Sequence, residues 1–255
     1  MKYTAHFMLE DPEAVKRLIR ENPWATFVSS TANGLVASHY PILLDEDAEE
    51  IVLLSHFGKP DDRLHELGEH EMLVIVQGPH GYISPSWYAP QDFIPTWNHV
   101  TAHLYGTPEI LSFDENFAVL HRLVDHFEAG VAHPRSLHQD EEYARKVAAG
   151  TAGVRLVVKR FDARLKLSQN KAPEVVETIT RELESGCIRA ASVGAGNAIG
   201  ARIVRRTNRA ADSTGISGSA RYEASATSTA SSAVLPSART MPAACPEMKS
   251  DSNSG

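Results

Sequence analysis

The sequence has little cysteine and no long apolar run. Cys187 and Cys245 are the only cysteines among 255 residues. Both lie late, so residues 1–186 can build neither a disulfide framework nor a thiolate metal site. No stretch approaches the roughly 20 apolar residues needed to cross a bilayer as a helix, and no membrane association is expected. The opening MKYTAHFMLEDPEAVKR lacks the apolar core of a signal peptide and soon turns acidic, so the expected location is cytoplasmic. A glycine-rich P-loop, a Rossmann fingerprint and a GxSxG elbow are also missing. Asp45, Asp61 and Asp62 lack the paired spacing that acid–base work on a sugar needs. The sequence assigns no catalytic residue and no metal ligand.

The charge is uneven. Residues 187–255 hold eight of the 25 Lys/Arg and four of the 32 Asp/Glu. That leaves 17 basic and 28 acidic residues, net -11, in residues 1–186. An acidic domain of this kind disfavours broad nucleic-acid binding, though a few local donors can still hold a small anion. All three Trp, all eight Phe and all twelve His also precede residue 187. Beyond it Ala, Ser, Arg, Thr and Gly dominate without an apolar period, and such a segment is expected to be disordered. Two readings of this tail stay open. It is a flexible appendage, or a non-native C-terminus such as a reading-frame change produces; the abrupt switch in composition favours the second. The expected organisation is a domain over 1–186 and a tail over 187–255.

Within the domain, Asp11 is a good N-cap and Pro12 suits the first turn of a helix to Asn22, with Val15, Leu18 and Ile19 on one face. Thr26 to Thr31 and Leu35 to Leu44 read as strands joined at Asn33-Gly34, both of which tolerate positive φ. Trp24, at the end of the helix, is expected to pack against the sheet. Further strands are expected at Ile51–His56, Met72–Gln77, Trp97–Leu111 and Val154–Leu165. Between them fall a short helix ending near Leu67, a helix starting near Asp114 with a Phe117/Leu120/Val124/Phe127 stripe, another near 140–148, and a last helix over 172–184. Six strands in hairpin-like succession are not a βαβ repeat. They predict an α+β fold built on a barrel or strongly bent antiparallel sheet with flanking helices.

The chemistry concentrates in residues 74–106, VIVQGPHGYISPSWYAPQDFIPTWNHVTAHLYG. The connection over 78–96 is longer than most loops in compact domains. Trp87, Tyr88 and Trp97 can stack on a flat ligand, and Ser84, Ser86, Thr96 and Asn98 offer hydrogen-bonding groups beside them. A loop folded back as core explains the same residues equally well. Lys59 and Arg63 stand at a helix start, where free N–H groups favour phosphate; a solvated helix face is the bland alternative. Lys166, Ser168, Gln169 and Asn170 form a second donor-rich segment, in which Asn170 is also placed to cap the last helix. His99 and His103, four apart on one strand, lie about 13 Å apart, too far to share a metal ion. His39, His56 and His80 could converge only through the fold.

GPHGYISPSWY followed by IPTWNHVTAHLYG resembles the signature of the PaiB family of FMN-binding proteins. SHYPILLD, SHFGKPDDRLHEL and FDARLKLSQNK agree with it in the family's order, over about residues 1–186. The segment 57–61 is looser than the family pattern, and His99 replaces its more usual Tyr. The resemblance implies a split β-barrel of the flavin-reductase and pyridoxamine-phosphate-oxidase type, a homodimer, and FMN at or near the subunit interface. His39, His56, Lys59, Arg63, Ser84, Ser86, Trp87, Tyr88, Thr96, Trp97, Asn98, Lys166, Ser168, Gln169 and Asn170 are its candidate cofactor-binding residues. It also implies a negative transcriptional regulator or flavin-based sensor. Other classes are a flavin-dependent NAD(P)H oxidoreductase, a haem-binding split barrel, and a transcription factor that reaches DNA with its basic tail.

Overall fold

The computed structural model describes residues 4–88 and 91–185. The expectations for the tail fall outside the described residues. Helix α1 (Pro12–Glu21) starts as its sequence dictates. The Asp11 carboxylate accepts from the backbone N–H of Glu13 at 3.0 Å and of Ala14 at 3.1 Å, which satisfies two of the helix's orphan donors. Val15, Leu18 and Ile19 are buried.

Eight strands follow rather than six. They are β1 (Trp24–Thr31), β2 (Gly34–Leu44), β3 (Val52–Gly58), β4 (Met72–Ile83), β5 (Thr96–Gly106), β6 (Pro108–Ile110), β7 (Thr151–Val157) and β8 (Arg160–Lys166). All pair antiparallel in the order β6-β7-β3-β2-β1-β4-β5-β8. Helix α2 (Asp61–Leu64) is a single turn between β3 and β4. Helices α3 (Phe113–Glu128) and α4 (Glu141–Ala148) lie between β6 and β7, and α5 (Pro173–Ser185) follows β8.

Two expected strands are each broken in two, and the breaks curl the sheet into a split barrel. The run 97–111 divides at Gly106 and Thr107: β5 pairs with β4 and β8, while β6 pairs with β7. The run 154–165 divides at Val158 and Lys159, so β8 stands at one end of the strand order and β7 next to the other end. Backbone hydrogen bonds from Lys159 N to Tyr105 O (2.8 Å) and from Val158 N to Ile51 O (2.9 Å) draw those ends together. Gly106 permits the approach, because a Cβ there would lie 2.4 Å from the Val157 carbonyl oxygen. The β1–β2 turn is also shifted. Thr31 pairs with Gly34, so Ala32 and Asn33 form the turn and Gly34 alone, at φ +106°, takes the left-handed conformation.

Alternation along the strands sorts the side chains. Phe27, Ile42, Leu53, Val74, Val76, Leu104 and Leu156 fill the interior with α1 against them. Helix α3 packs Val119 and Leu123 on Leu54, forming a second small cluster. Phe127, expected on that stripe, is exposed. The outer face of β2, β1, β4, β5 and β8 is different. Trp24 is 60% exposed, contrary to its expected packing role, and Leu35 is 80% exposed. Trp24 opens β1, whose inward positions are taken by Ala25 and Phe27, so its ring points out. Val28, Leu73 and Ile75 are half-buried on this face.

Replacing Gly106 with alanine should destabilise the fold by about 1–3 kcal/mol, the usual cost of overpacking a tight core position. Gly130, whose Cβ would meet nothing within 4 Å, should accept alanine within about 0.5 kcal/mol. Urea midpoints of the two variants check the contrast, and equal midpoints would remove Gly106 from its role in the curl.

Candidate functional site

Strand β5 carries the site because its odd residues point outward. Trp97, His99, Thr101, His103 and Tyr105 alternate with the buried Asn98, Val100, Ala102, Leu104 and Gly106. Register sets their neighbours. His99 stands between His80 of β4 and Lys166 of β8, Thr101 between Gln77 and Arg164, and Trp97 beside Tyr82. The shift between Gln77 and His80 in β4 is what turns His80 and Tyr82 outward. Gly78 occupies that irregularity, where a Cβ would meet Leu18 of α1 at 2.6 Å.

The corner where β4 ends, β5 begins and β8 ends gathers most of the expected residues. Lys166 Nζ donates to the Trp97 carbonyl at 2.9 Å and to Thr96 Oγ1. Ser168 Oγ donates to Asn98 Oδ1 at 3.0 Å, and both residues are buried. Asn98 Nδ2 finds no hydrogen-bond acceptor among the described residues. Ser168 itself sits at φ +64°, a strained conformation for a non-glycine residue and common at ligand sites. Gln169 ties the following turn down, donating to the carbonyls of Leu165 at 2.5 Å and His6 at 3.2 Å.

The connection beyond β4 is shorter than expected, because β4 runs on to Ile83. Ser84 and Ser86 share a hydrogen bond of 2.8 Å across a 3₁₀ turn that includes Trp87. Tyr88 lies under the Lys171 ammonium, 4.4 Å from its ring centroid, and Lys171 also pairs with Asp92. Asn170 is exposed and stands ahead of the capping position. Helix α5 begins at Pro173, after a turn closed by Lys171 N donating to Ser168 O at 2.9 Å. The expected cap is therefore corrected: the turn at Ser168 uses up the intervening residues, and proline starts the helix.

The electrostatics of the corner oppose those of the domain. Arg164 and Lys166 point outward on β8, and among the described residues neither enters an ion pair with a carboxylate. Arg164 Nε is buried without a hydrogen-bond partner. Burial lowers the Lys166 pKa, with Arg164 adding to the effect. Burial likewise lowers that of His99, helped by Arg164, Lys166 and His80. Arg160, further along β8, is already engaged by Glu71 at 2.8 Å and by the Tyr105 ring at 3.5 Å. The exposed Trp97 indole lies 6.1 Å from Tyr82 and 6.4 Å from His80, centroid to centroid. A flat aromatic face thus adjoins two cations and buried, underused donors. These residues fit a ligand with a planar ring and a phosphate.

Four expected residues lie elsewhere. His39 is on the outer face of β2, four strands from β8, or roughly 19 Å along the sheet by strand spacing. His56 is on β3, its Nδ1 buried without a partner and its pKa lowered by burial. Lys59 donates to the Ala149 carbonyl at 3.0 Å, and Arg63 is exposed on α2. The helix start that Lys59 and Arg63 flank is a poor anion site within this copy. The helix has one turn, and Asp61 and Asp62 fill its first positions with negative charge. Arg164, His80 and Tyr82 were not singled out as ligand-binding residues in the sequence. The alternation Asp162, Arg164, Lys166 against Phe161, Ala163, Leu165 was the signal that would have placed Arg164.

A family model described as "Putative FMN-binding domain" matches residues 1–160. The chain belongs to this FMN-binding family. It is 28% identical over 183 residues to the Bacillus subtilis protein "Protease synthase and sporulation protein PAI 2", covering 71% of this chain and 87% of that one. An uncharacterized protein of Saccharomyces cerevisiae is 33% identical over 92 residues, 34% of this chain and 54% of the relative. Among solved structures, the flavocytochrome Anf3 from Azotobacter vinelandii superposes with a TM-score of 0.50 at 15% identity, covering 65% of this chain and 72% of that one. At that identity the likeness concerns the fold. Membership of the FMN-binding family agrees with the planar-ring and phosphate chemistry of the corner and with FMN as the cofactor.

Beside the loose 57–61 segment lies a buried relay that is structural. Ser38 Oγ and Tyr40 OH each donate to Asp61 Oδ2 at 2.8 Å. Ser38 must therefore accept from His65 Nε2, 3.0 Å away, which leaves His65 Nδ1 to accept from Ser29 Oγ at 2.8 Å. The donation from Ser29 to Nδ1 requires neutral His65, whereas Nε2–H donates to Ser38 in either protonation state. Burial lowers its pKa, with Asp61 opposing, and the donations from Ser38 and then Tyr40 lower that of Asp61. Stability held above the unfolded histidine value of about 6.5 should be lost as pH falls through the lower folded value. His65→Gln should cost about 1–3 kcal/mol at neutral pH, the penalty for disturbing a buried hydrogen-bonded group, and make the acid decline shallower. Urea midpoints against pH check this. An unchanged slope would assign the decline to His56, His99 and His103, whose values are lowered by burial as well.

Proposed function

We propose that this protein is an FMN-binding regulator or flavin-based sensor of the PaiB type. Its flavin lies on the outer face of β4, β5 and β8. The phosphate meets Arg164 and Lys166, and the isoalloxazine lies against Trp97. The observation that carries this reading is the cationic corner beside an exposed tryptophan in an otherwise acidic domain. FMN supplies redox-active ring chemistry when bound; the chain supplies charge for the phosphate, an apolar wall and the donors of Thr96 and Asn98. Ser84, Ser86, Trp87, Tyr88, Ser168, Gln169 and Asn170 frame the ligand.

The regulatory part of the proposal draws on the sporulation and protease-synthesis name of the Bacillus relative. The net charge of residues 1–186 speaks against direct DNA binding by this domain. A homodimer belongs to the same reading. Half-buried Val28, Leu73 and Ile75 with exposed Trp24 and Leu35 form an apolar outer face suited to a second copy. His39, His56, Lys59 and Arg63 then reach a flavin only from that copy. No helix among the described residues is long and apolar enough to cross a membrane, in keeping with the proposed cytoplasmic location. Residues 1–186 form the proposed flavin-binding unit.

FMN added to the purified protein should survive gel filtration, with bands near about 450 and 370 nm. Lys166→Ala should weaken binding about tenfold to a hundredfold, the worth of one hydrogen bond to a charged group, and Lys59→Ala should weaken it less. Trp97→Ala should weaken it more than Trp24→Ala. Equal effects in both pairs, measured by flavin fluorescence titration, would move the flavin off this corner.

A further inference from the structure

His99 is set among groups that penalise its charge. Lys166 faces it from β8 and His80 from β4, each directly across the ladder. Arg164 lies one outward position along β8, opposite Thr101. Within β5, His99 Nδ1 is 3.3 Å from Thr101 Oγ1 and His103 is the next outward histidine. The carboxylate on this stretch of the face, Asp162, stands opposite His103 rather than His99. The ring is half-buried, so water screens these neighbours incompletely.

We propose that His99 takes up a proton when the phosphate of FMN binds at the Arg164–Lys166 corner, so that flavin affinity rises as pH falls. The inference rests on the flavin placement proposed above. In the free protein two cations and a second histidine repel a further positive charge, and partial burial removes the hydration that would support it. A phosphate dianion placed between Arg164 and Lys166 compensates both cations and attracts a third. The imidazole gains one proton from solvent and becomes imidazolium. No other bond changes. By linkage, affinity grows with acidity between the free and bound titration points and is flat above and below them. The pH of the surroundings thereby sets how much of the protein carries flavin, a form of control suited to a sensor.

The test is FMN affinity from about pH 8 to about pH 5.5, a window that spans ordinary histidine titration. It uses the full chain and its His99→Gln variant, with riboflavin as the phosphate-free ligand. The full chain should bind FMN tighter toward the acid end, by up to about tenfold from a one-unit pKa change on binding less what protonation of the phosphate near about 6 takes back. His99→Gln should lose that gain and show only the weakening that protonation of the phosphate dianion near about 6 brings at the acid end. Riboflavin affinity should be nearly flat. Calorimetry in two buffers of different ionisation enthalpy should show proton uptake with FMN and less with the variant. FMN binding that is flat with pH, or equally pH-dependent in His99→Gln, would overturn the proton linkage and leave flavin binding standing. Riboflavin following the same pH curve would overturn the phosphate as its cause. No FMN retention at any pH would overturn the flavin reading and this inference together.

Discussion

The architecture depends on one close backbone approach. At Gly106 the chain leaves β5, bonded to β4 and β8, and enters β6, bonded to β7. Only a residue without a Cβ lets the Val157 carbonyl come so near. The same level of the barrel holds the Val158–Lys159 crossover, where β7 gives way to β8. Without this paired change of partners the two runs would continue as flat strands. With it, the sheet bends round its core, and Lys166 at the end of β8 arrives beside Thr96 and Trp97 at the start of β5.

That arrival is costly and local. Lys166 and Arg164 are brought partly out of water with no carboxylate partner found among the described residues, and Asn98 is buried with an idle donor. Ser168 adopts a left-handed backbone. A fold optimised only for stability would avoid each of these. Together they are the features on which the proposed flavin placement rests. The relay of Ser29, His65, Ser38 and Asp61 shows the contrasting case, where polar groups are buried and satisfied. The first arrangement leaves Asn98 Nδ2 and Arg164 Nε without hydrogen-bond partners among the described residues, and the second does not.

Much of this was legible in the sequence, and the failures have physical causes. Helix α1 could be read because Asp11, Pro12 and the apolar period are local signals. The corner residues 96–98 and 166–170 could be named because the family resemblance carried them. The runs 97–111 and 154–165 read as single strands because a change of partner leaves the alternation of side chains nearly intact; only Gly106 marked it. Asn33-Gly34 announced a turn but not its register. Lys59 and Arg63 were named for the free N–H groups of a short helix start, and the sequence did not show that this helix is a single turn. Trp24 was expected to pack against the sheet from the end of the helix, whereas it begins β1 and the phase of that strand turns it out. Arg164 was not named, because its place beside Thr101 of β5 appears only when the strands are set side by side.

The most direct test of the central claim is the crystal structure of the protein with FMN bound. The account predicts the phosphate within hydrogen-bonding distance of Arg164 or Lys166 and the flavin ring over Trp97. A phosphate held instead by Lys59 and Arg63 of one chain, with the Arg164–Lys166 corner facing solvent, would contradict it.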